Sequence, residues 1–416
     1  MTDVGLEALE FVQSTMQIDN AWSVRESRQL TWWSHRLAQR IVTEPGRTSH
    51  GVEVFRVSAE TDLLRNVASS GRTAERLAVF NDHASMSAFV WNVEAGTIRL
   101  RCSAGVHAET AGTANRLFAA AASIQVADAH LKVDGLAELL GGEPDISEHP
   151  TAGTRRTGDD MLEIIAGLYA PEGANGPPFN DADFQRAAVL KTRLPWAEVV
   201  CEGASLRALI DCGHRRDRQA LLFMTSTQRH PQLGAGLLMI VEVPVPLNLS
   251  DLQLISLAHE LNSAEAGAWQ IPYSFGAWRR APRSKDSVAY AAFFPRLVCR
   301  PGMIEAMALQ LTARAEWAVE TIDDGIKDVR QQAAAVRSNQ EYTAPALAVR
   351  RALAYGLQGP ALDRIREVVN NIRERTQKPA SHPRCWSCKA ELPFSEATRG
   401  QKVRCPGCGK KQELPR

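Results

Sequence analysis

Apolar positions along the chain change period several times, and each change marks an element. Leu30, Trp33, Leu37 and Ile41 recur at three- and four-residue steps, which predicts an amphipathic helix ending before Pro45-Gly46. Further on the period falls to two. Phe89, Trp91 and Val93 alternate with other residues, Glu94-Ala95-Gly96 supplies a turn, and Ile98, Leu100 and Cys102 alternate again around Arg99 and Arg101, so a β-hairpin is expected. Strands are also expected at Val52 to Val57 and Leu77 to Phe80. The Ala-rich stretch from Thr113 to Leu140 returns to a helical period.

The second part of the chain repeats that order. A helix is expected from Asp181 to Leu190 and a strand-like stretch from Val199 to Ile210. Strands should follow at Ala220 to Met224 and Leu237 to Val245. Ser250 and Gln253 have the spacing of a capping box, and Leu254, Ala258 and Leu261 form the inward stripe of the helix they open. Trp269 to Tyr273 and Val288 to Val298 read as two more strands. From Gly302 onward Ile304, Ala308, Leu311, Ala315, Ala318 and Ile322 step by four and three, which predicts a long helix that packs back on its own domain or, as the secondary reading, pairs in a homodimer. Residues Phe55 to Leu140 and Val199 to Leu261 share their alternation, so a diverged duplication is expected, with two unrelated α+β domains as the alternative.

Turn formers from Pro171 to Pro178 and a polar stretch from Thr376 to Arg384 divide the chain. The expected organisation is an α+β module over 1–170, a second over 179–320, a helical bridge over 321–375 and a small C-terminal domain over 381–416. The fold class is therefore α+β, with antiparallel sheets and flanking helices.

Composition narrows the function classes. In 416 residues, 48 Lys+Arg against 47 Asp+Glu leave a net charge of +1, so no global field favours nucleic acid or membranes. The longest apolar stretch, Gly236 to Val245, contains Glu242 and Pro244 and is far short of the roughly 20 residues that span a bilayer. With no basic-then-apolar leader at Met1, a cytoplasmic protein without a membrane segment is expected.

Cysteine placement supplies the strongest chemical signal. Cys102, Cys201, Cys212 and Cys299 are scattered, as single thiols in a reducing compartment are. Cys385, Cys388, Cys405 and Cys408 instead form two Cys-x-x-Cys knuckles separated by sixteen residues. Four thiolates in that spacing suit one structural Zn²⁺ per chain with no open coordination position, or iron in a rubredoxin-like site as the minor alternative. Residues 381–416 carry eight basic and three acidic side chains. Basic groups near the sulfurs offset the negative charge of such a cluster, and Lys402, Arg404, Lys410 and Lys411 are also candidates for contact with nucleic-acid phosphates.

These last residues resemble the short four-cysteine zinc ribbon of bacterial proteins, through Glu391-Leu-Pro393, the stretch from Gly400 to Gly409 and Leu414-Pro415. That resemblance implies an adaptor module. The helix, three strands, helix, two strands, helix order of residues 181–320, with the Leu261-Asn262 helix end followed by Trp269, is similar to the α+β family of type III secretion chaperones, and residues 1–150 share the pattern. This second resemblance implies a non-catalytic, chaperone-like module that holds a protein partner.

Elsewhere, Cys212 and His214 are near enough in sequence to form an activated thiol if the fold brings them within hydrogen-bond reach. Trp32 is a candidate anchor for a partner, and His259 a satisfied boundary histidine. No phosphate-binding loop, nucleophile elbow or His-Glu-x-x-His motif is present. The expected function is a non-catalytic cytoplasmic zinc-containing adaptor for a protein partner. A nucleic-acid factor using the basic ribbon and an enzyme using Cys212 and His214 are its rivals.

Overall fold

The computed structural model describes residues 3–334, apart from 50, 84, 169–176, 213–217 and 283, and residues 402–413, apart from 407. The chain divides into two units, Met1–Gly356 and Leu357–Arg416. The first unit opens with α1 (Val4–Thr15), β1 (Ser23–Arg25), β2 (Gln29–Trp33), β3 (Ala38–Thr43), β4 (Arg47–Ser49) and β5 (Val52–Arg65). It continues with α2 (Gly71–Asp82), β6 (Ala88–Asn92), β7 (Thr97–Val106), α3 (Ala111–Leu140), β8 (Glu143–Pro144) and α4 (Asp160–Leu168). A second series follows as α5 (Asp181–Ala188), β9 (Trp196–Cys201), β10 (Ser205–Cys212), β11 (Arg218–Thr225), β12 (Arg229–His230) and β13 (Gly234–Pro244). It ends in α6 (Asp251–Glu265), β14 (Tyr273–Ser274), β15 (Ala277–Arg280), β16 (Ser287–Pro295) and α7 (Met303–Ala334).

Both series build the same antiparallel sheet. The first runs β1-β2-β3-β5-β7 with β6 beyond β7; the second runs β9-β10-β11-β13-β16-β15. Even the short hairpin partners correspond, β4 on β5 and β12 on β13. Helices α1 and α3 cover one face of the first sheet, and α5 and α7 cover one face of the second. The stripe of α7 is buried at Ile304, Ala308, Leu311, Ala315, Ala318 and Ile322 against β10, β11 and β13, so its own sheet consumes it.

Central helices α2 and α6 pack on each other, and each also packs on the other half's outermost strand, α2 on β15 and α6 on β6. After α6 the chain crosses to the first sheet, where β14 pairs with β7 at Ala104 and Ser103. After α2 the carbonyl of Ser85 accepts from the Phe293 amide of β16 at 3.2 Å, a reciprocal exchange. The return from β14 to β15 passes so close to β16 that a Cβ on Gly276 would lie 2.3 Å from the Ala291 carbonyl, which requires glycine. One hydrophobic core runs through both halves.

Local signals acted where they were expected. Ser250 and Gln253 form a reciprocal capping box on α6, and Gly96 takes φ +62° in the β6–β7 turn. Several elements differ from expectation: residues 269–272, expected as a strand, are turn and coil ahead of the short β14, and the stretch 199–210 is divided by a turn between β9 and β10. Residues 30–41 form β2 and β3, in which Leu30 lies opposite Ile41 and Trp32 opposite Gln39. Their three- and four-residue spacing is an accident of two strands joined by a bend, and the Thr-Trp-Trp run favours the extended form. Residues 77–80, expected as a strand, lie in α2. Ser70 caps that helix, and Thr73, Ala74, Leu77 and Asn81 make its buried face; a four-residue apolar run does not by itself distinguish strand from helix. The turn-rich break lies outside the described residues up to residue 176, as does the bridge beyond residue 334.

In the second unit, the described residues form a two-stranded hairpin, β17 (Lys402–Arg404) and β18 (Lys411–Glu413). Among the described residues, no helix is long and apolar enough to cross a membrane.

Candidate docking face

The two sheets can be compared residue by residue because one side-chain clamp fixes their register. In the first half Asn81 donates to the Phe89 carbonyl at 3.1 Å and accepts from its amide at 2.9 Å. In the second, Asn262 does the same to Trp278, at 2.9 and 2.7 Å. Both asparagines lie in the last turn of the central helix, and both grip the second residue of the next long strand, each preceded by alanine.

From Ala88 the row across the first sheet runs through Arg101, Glu60, Arg40, Thr31 and Val24. From Ala277 the equivalent row runs through Ala291, Ile240, Phe223, Arg207 and Val200. Both rows lie on the face opposite the covering helices. In the first sheet this face is a lattice of ion pairs: Arg40 to Asp62 at 2.5 Å, Arg99 to Glu60 at 3.1 Å and Asp62 at 3.4 Å, and Arg101 to Glu60 at 3.0 Å. In the second the corresponding places hold Phe223 and Ile240, with Leu209 and Leu221 in the neighbouring row. All four are half-buried and stand outside the two large hydrophobic cores. Val200, at the end of the row, is 47% exposed.

A buried polar cluster lies behind that sheet and joins the halves. Arg314 from α7 forms an ion pair with Glu265 of α6 at 3.0 Å, both side chains almost wholly buried. Trp278 donates its indole N–H to Glu265 at 2.6 Å, the Tyr273 carbonyl accepts from Arg314, and the guanidinium lies 3.8 Å from the Tyr290 ring centre. Burial works against the Arg314 charge, but the Glu265 carboxylate outweighs it and its pKa is raised. With Arg314 Nε and Nη2 and the Trp278 indole all directed to protein acceptors, the cluster locks the crossing segment. On the other side Arg56 donates to the Glu265, Ala266, Ala268 and Ile271 carbonyls, closing the end of α6 on the first sheet.

Of the candidate residues named from the sequence, Cys212 and Trp32 lose their functional readings, whereas His259 lies at a boundary as expected. Cys212 is 1% exposed, its thiol donates to the Ile210 carbonyl, and burial pushes its pKa up to about 12, so it is not an activated nucleophile; His214 lies outside the described residues. Trp32 is fully buried and offers nothing to a partner. His259 is buried at the boundary of the halves with Nε2 2.9 Å from the Ala74 carbonyl. Lys402, Arg404, Lys410 and Lys411 are exposed on or beside the hairpin strands, with Arg404 directly opposite Lys411.

The zinc expectation is corrected. Among the described residues no group of three or more His, Cys, Asp and Glu side chains is placed to hold a metal. Cys405, 2% exposed, and the exposed Cys408 supply two thiols. Cys385 and Cys388 lie outside the described residues, and two thiols do not complete a tetrahedral site. The structural Zn²⁺, the zinc ribbon as the fourth part of the fold, and the zinc-containing adaptor or nucleic-acid factor built on them are not carried forward.

No family model matches the chain, and no match was found among curated proteins or solved structures. The resemblances to zinc ribbons and to type III secretion chaperones therefore gain no support and are withdrawn.

The docking face itself was missed from sequence, although its signal was present. Strands β11 and β13 are apolar at successive positions, Leu221 to Met224 and Leu237 to Val241, which gives a sheet two apolar faces. Only one of them has helices to cover it.

Proposed function

We propose that the chain binds a protein partner on the outer face of its second sheet. The observation that carries this reading is the replacement of Arg40, Glu60 and Arg101 by Phe223, Ile240 and Ala291 at equivalent positions of one repeated architecture. The ion-pair lattice is what this face carries where it meets water, away from the end at which Arg101 donates to the Ala266 carbonyl; a contiguous apolar patch with a polar rim is the signature of an interaction site. A cytoplasmic location goes with this reading, supported by the single buried thiols Cys102 and Cys212.

Site-specific photo-crosslinking in the native host tests it. A photoreactive phenylalanine analogue in place of Phe223 should give a discrete protein adduct, and the same analogue in place of Arg40 should not. Adducts at both positions, or at neither, would remove the proposal.

A further inference from the structure

We infer that the partner joins the second sheet as an added strand at β9, presenting apolar and basic side chains alternately on the outer face. The inference rests on the docking reading above and specifies how the partner engages and what chemistry it brings.

The argument starts from the two equivalent edges. In the first sheet the edge strand β1 has three residues, Ser23–Arg25, and the 3₁₀ turn Asn20–Trp22 ends it. Short, interrupted edges of this kind deter pairing. Its counterpart β9 has six residues, Trp196–Cys201, and among the described residues it pairs with β10 alone. It contains adjacent valines, no proline and one charge, and Ala197, Glu198 and Val200 are exposed. Such an edge is a template for another strand.

The directions of its free backbone groups follow from the ladder. The Glu202 amide donates to the Ser205 carbonyl at 3.1 Å, which sets the hydrogen-bonded pairs. Alternation then pairs Val200 with Arg207 and turns the amide and carbonyl of Val199 and Cys201 towards the open side. A strand laid there extends the outer row Val200–Arg207–Phe223–Ile240, in which the exposed Arg207 stands between Val200 and the apolar pair.

Charge identifies the partner. Outward-facing acids are Glu198, Asp211 and Glu242, against Arg207 and Arg279; Arg279 is paired with Asp82 and Asp211 accepts from Gln219, whereas Glu198 and Glu242 form no ion pair among the described residues. The added residue beside Val200 should therefore be apolar and the one beside Glu198 basic, the alternation an extended segment presents on one face. α5 lies under β9 on the inner side, so the intervening positions should be small or apolar.

Short random peptides displayed on phage and selected against the full-length protein provide the test. Selected peptides should alternate apolar and basic residues. They should lose affinity about tenfold or more when their alternate amides are N-methylated, which leaves the protein untouched. Val199→Pro removes only an outward amide and should have the same effect, and Glu198→Lys should weaken binding and its salt dependence. Ile240→Glu reports on the face independently. Loss on Ile240→Glu with N-methylation tolerated and no alternation in the peptides would overturn strand addition while leaving the docking face standing. Binding indifferent to Ile240→Glu, Val199→Pro and N-methylation alike would overturn both.

Discussion

The two halves of the first unit share a topology and an asparagine clamp, yet they place polarity in opposite layers. In the first, the outer face carries the ion-pair lattice, and the layer beneath the helices holds a neutral network. There Gln39 donates to the Ala122 carbonyl and to Gln125, both at 2.7 Å, and Gln125 donates to the Leu100 carbonyl at 2.8 Å. In the second, the positions of Gln39 and Thr61 are taken by Leu222 and Val241, and the outer face is apolar. Polarity has withdrawn to the Glu265–Arg314 pair at the junction. A fold that needs only one covered face can thus dedicate the other to water or to a partner, and the register shows which was chosen.

The largest test of this contrast lies in the buried layers. Arg314→Leu strands the Glu265 carboxylate and should cost about 3–5 kcal/mol in urea unfolding, with Glu265→Leu on the same chain restoring much of it. Gln125→Leu leaves only neutral groups unsatisfied in the first half and should cost about 1–3 kcal/mol. Equal costs would mean that the two layers do not differ as the burial implies.

Next in size is a pH effect centred on the first half. His130 lies 2.9 Å from the Ser34 hydroxyl, and burial, with His35 and Arg36 nearby, pushes its pKa down from 6.5 to about 4. The unfolded chain therefore binds more protons between those values, so stability is complete above about 6.5 and falls as pH drops through 4, by on the order of 2–3 kcal/mol. His230 and His259, also depressed by burial, add in the same direction. His130→Asn should flatten the slope of unfolding free energy between pH 4 and 6.5, and an unchanged slope would show that the site is open to water.

How much of this was legible in the sequence depends on the range of the interaction. The α6 capping box, the β6–β7 turn at Gly96 and the Ala-rich α3 were readable because each is decided within a few residues. The β2–β3 pair was not, since its bend happens to give helical spacing. Glu265 and Arg314 are 49 positions apart, and neither sits in a motif. Sixteen positions separate Asn262 from Trp278, against eight for Asn81 and Phe89, so the clamp has no common spacing to recognise. The cysteine knuckles were plain as a pattern, but a pattern names candidate ligands without placing them.

Exchanging the outer faces sharpens the contrast at its functional end. Phe223→Arg with Ile240→Glu places in the second sheet the residues that Arg40 and Glu60 supply in the first, and should change unfolding stability by only about 1 kcal/mol, because both positions lie outside the hydrophobic cores. Partner binding should fall by about 2 kcal/mol or more, because apolar anchors near the centre of an interface carry most of its energy. Proportionate loss of both stability and binding would mean that Phe223 and Ile240 serve the fold.

The smallest effect belongs to the lattice. Arg99 bridges Glu60 and Asp62 while keeping about a third of its side chain in water, so solvent and salt screen both contacts. Arg99→Ala should cost roughly 0.2–1 kcal/mol at low salt, less in high salt, and should leave crosslinking at position 223 as it was. The small number matters because it separates two reasons for keeping charges on a sheet. If they held the first half together, their removal would cost several kcal/mol and spread through the shared core. If they only make a face agreeable to water, the loss is slight and local, and the absence of a lattice from the second sheet is then a statement about its neighbour.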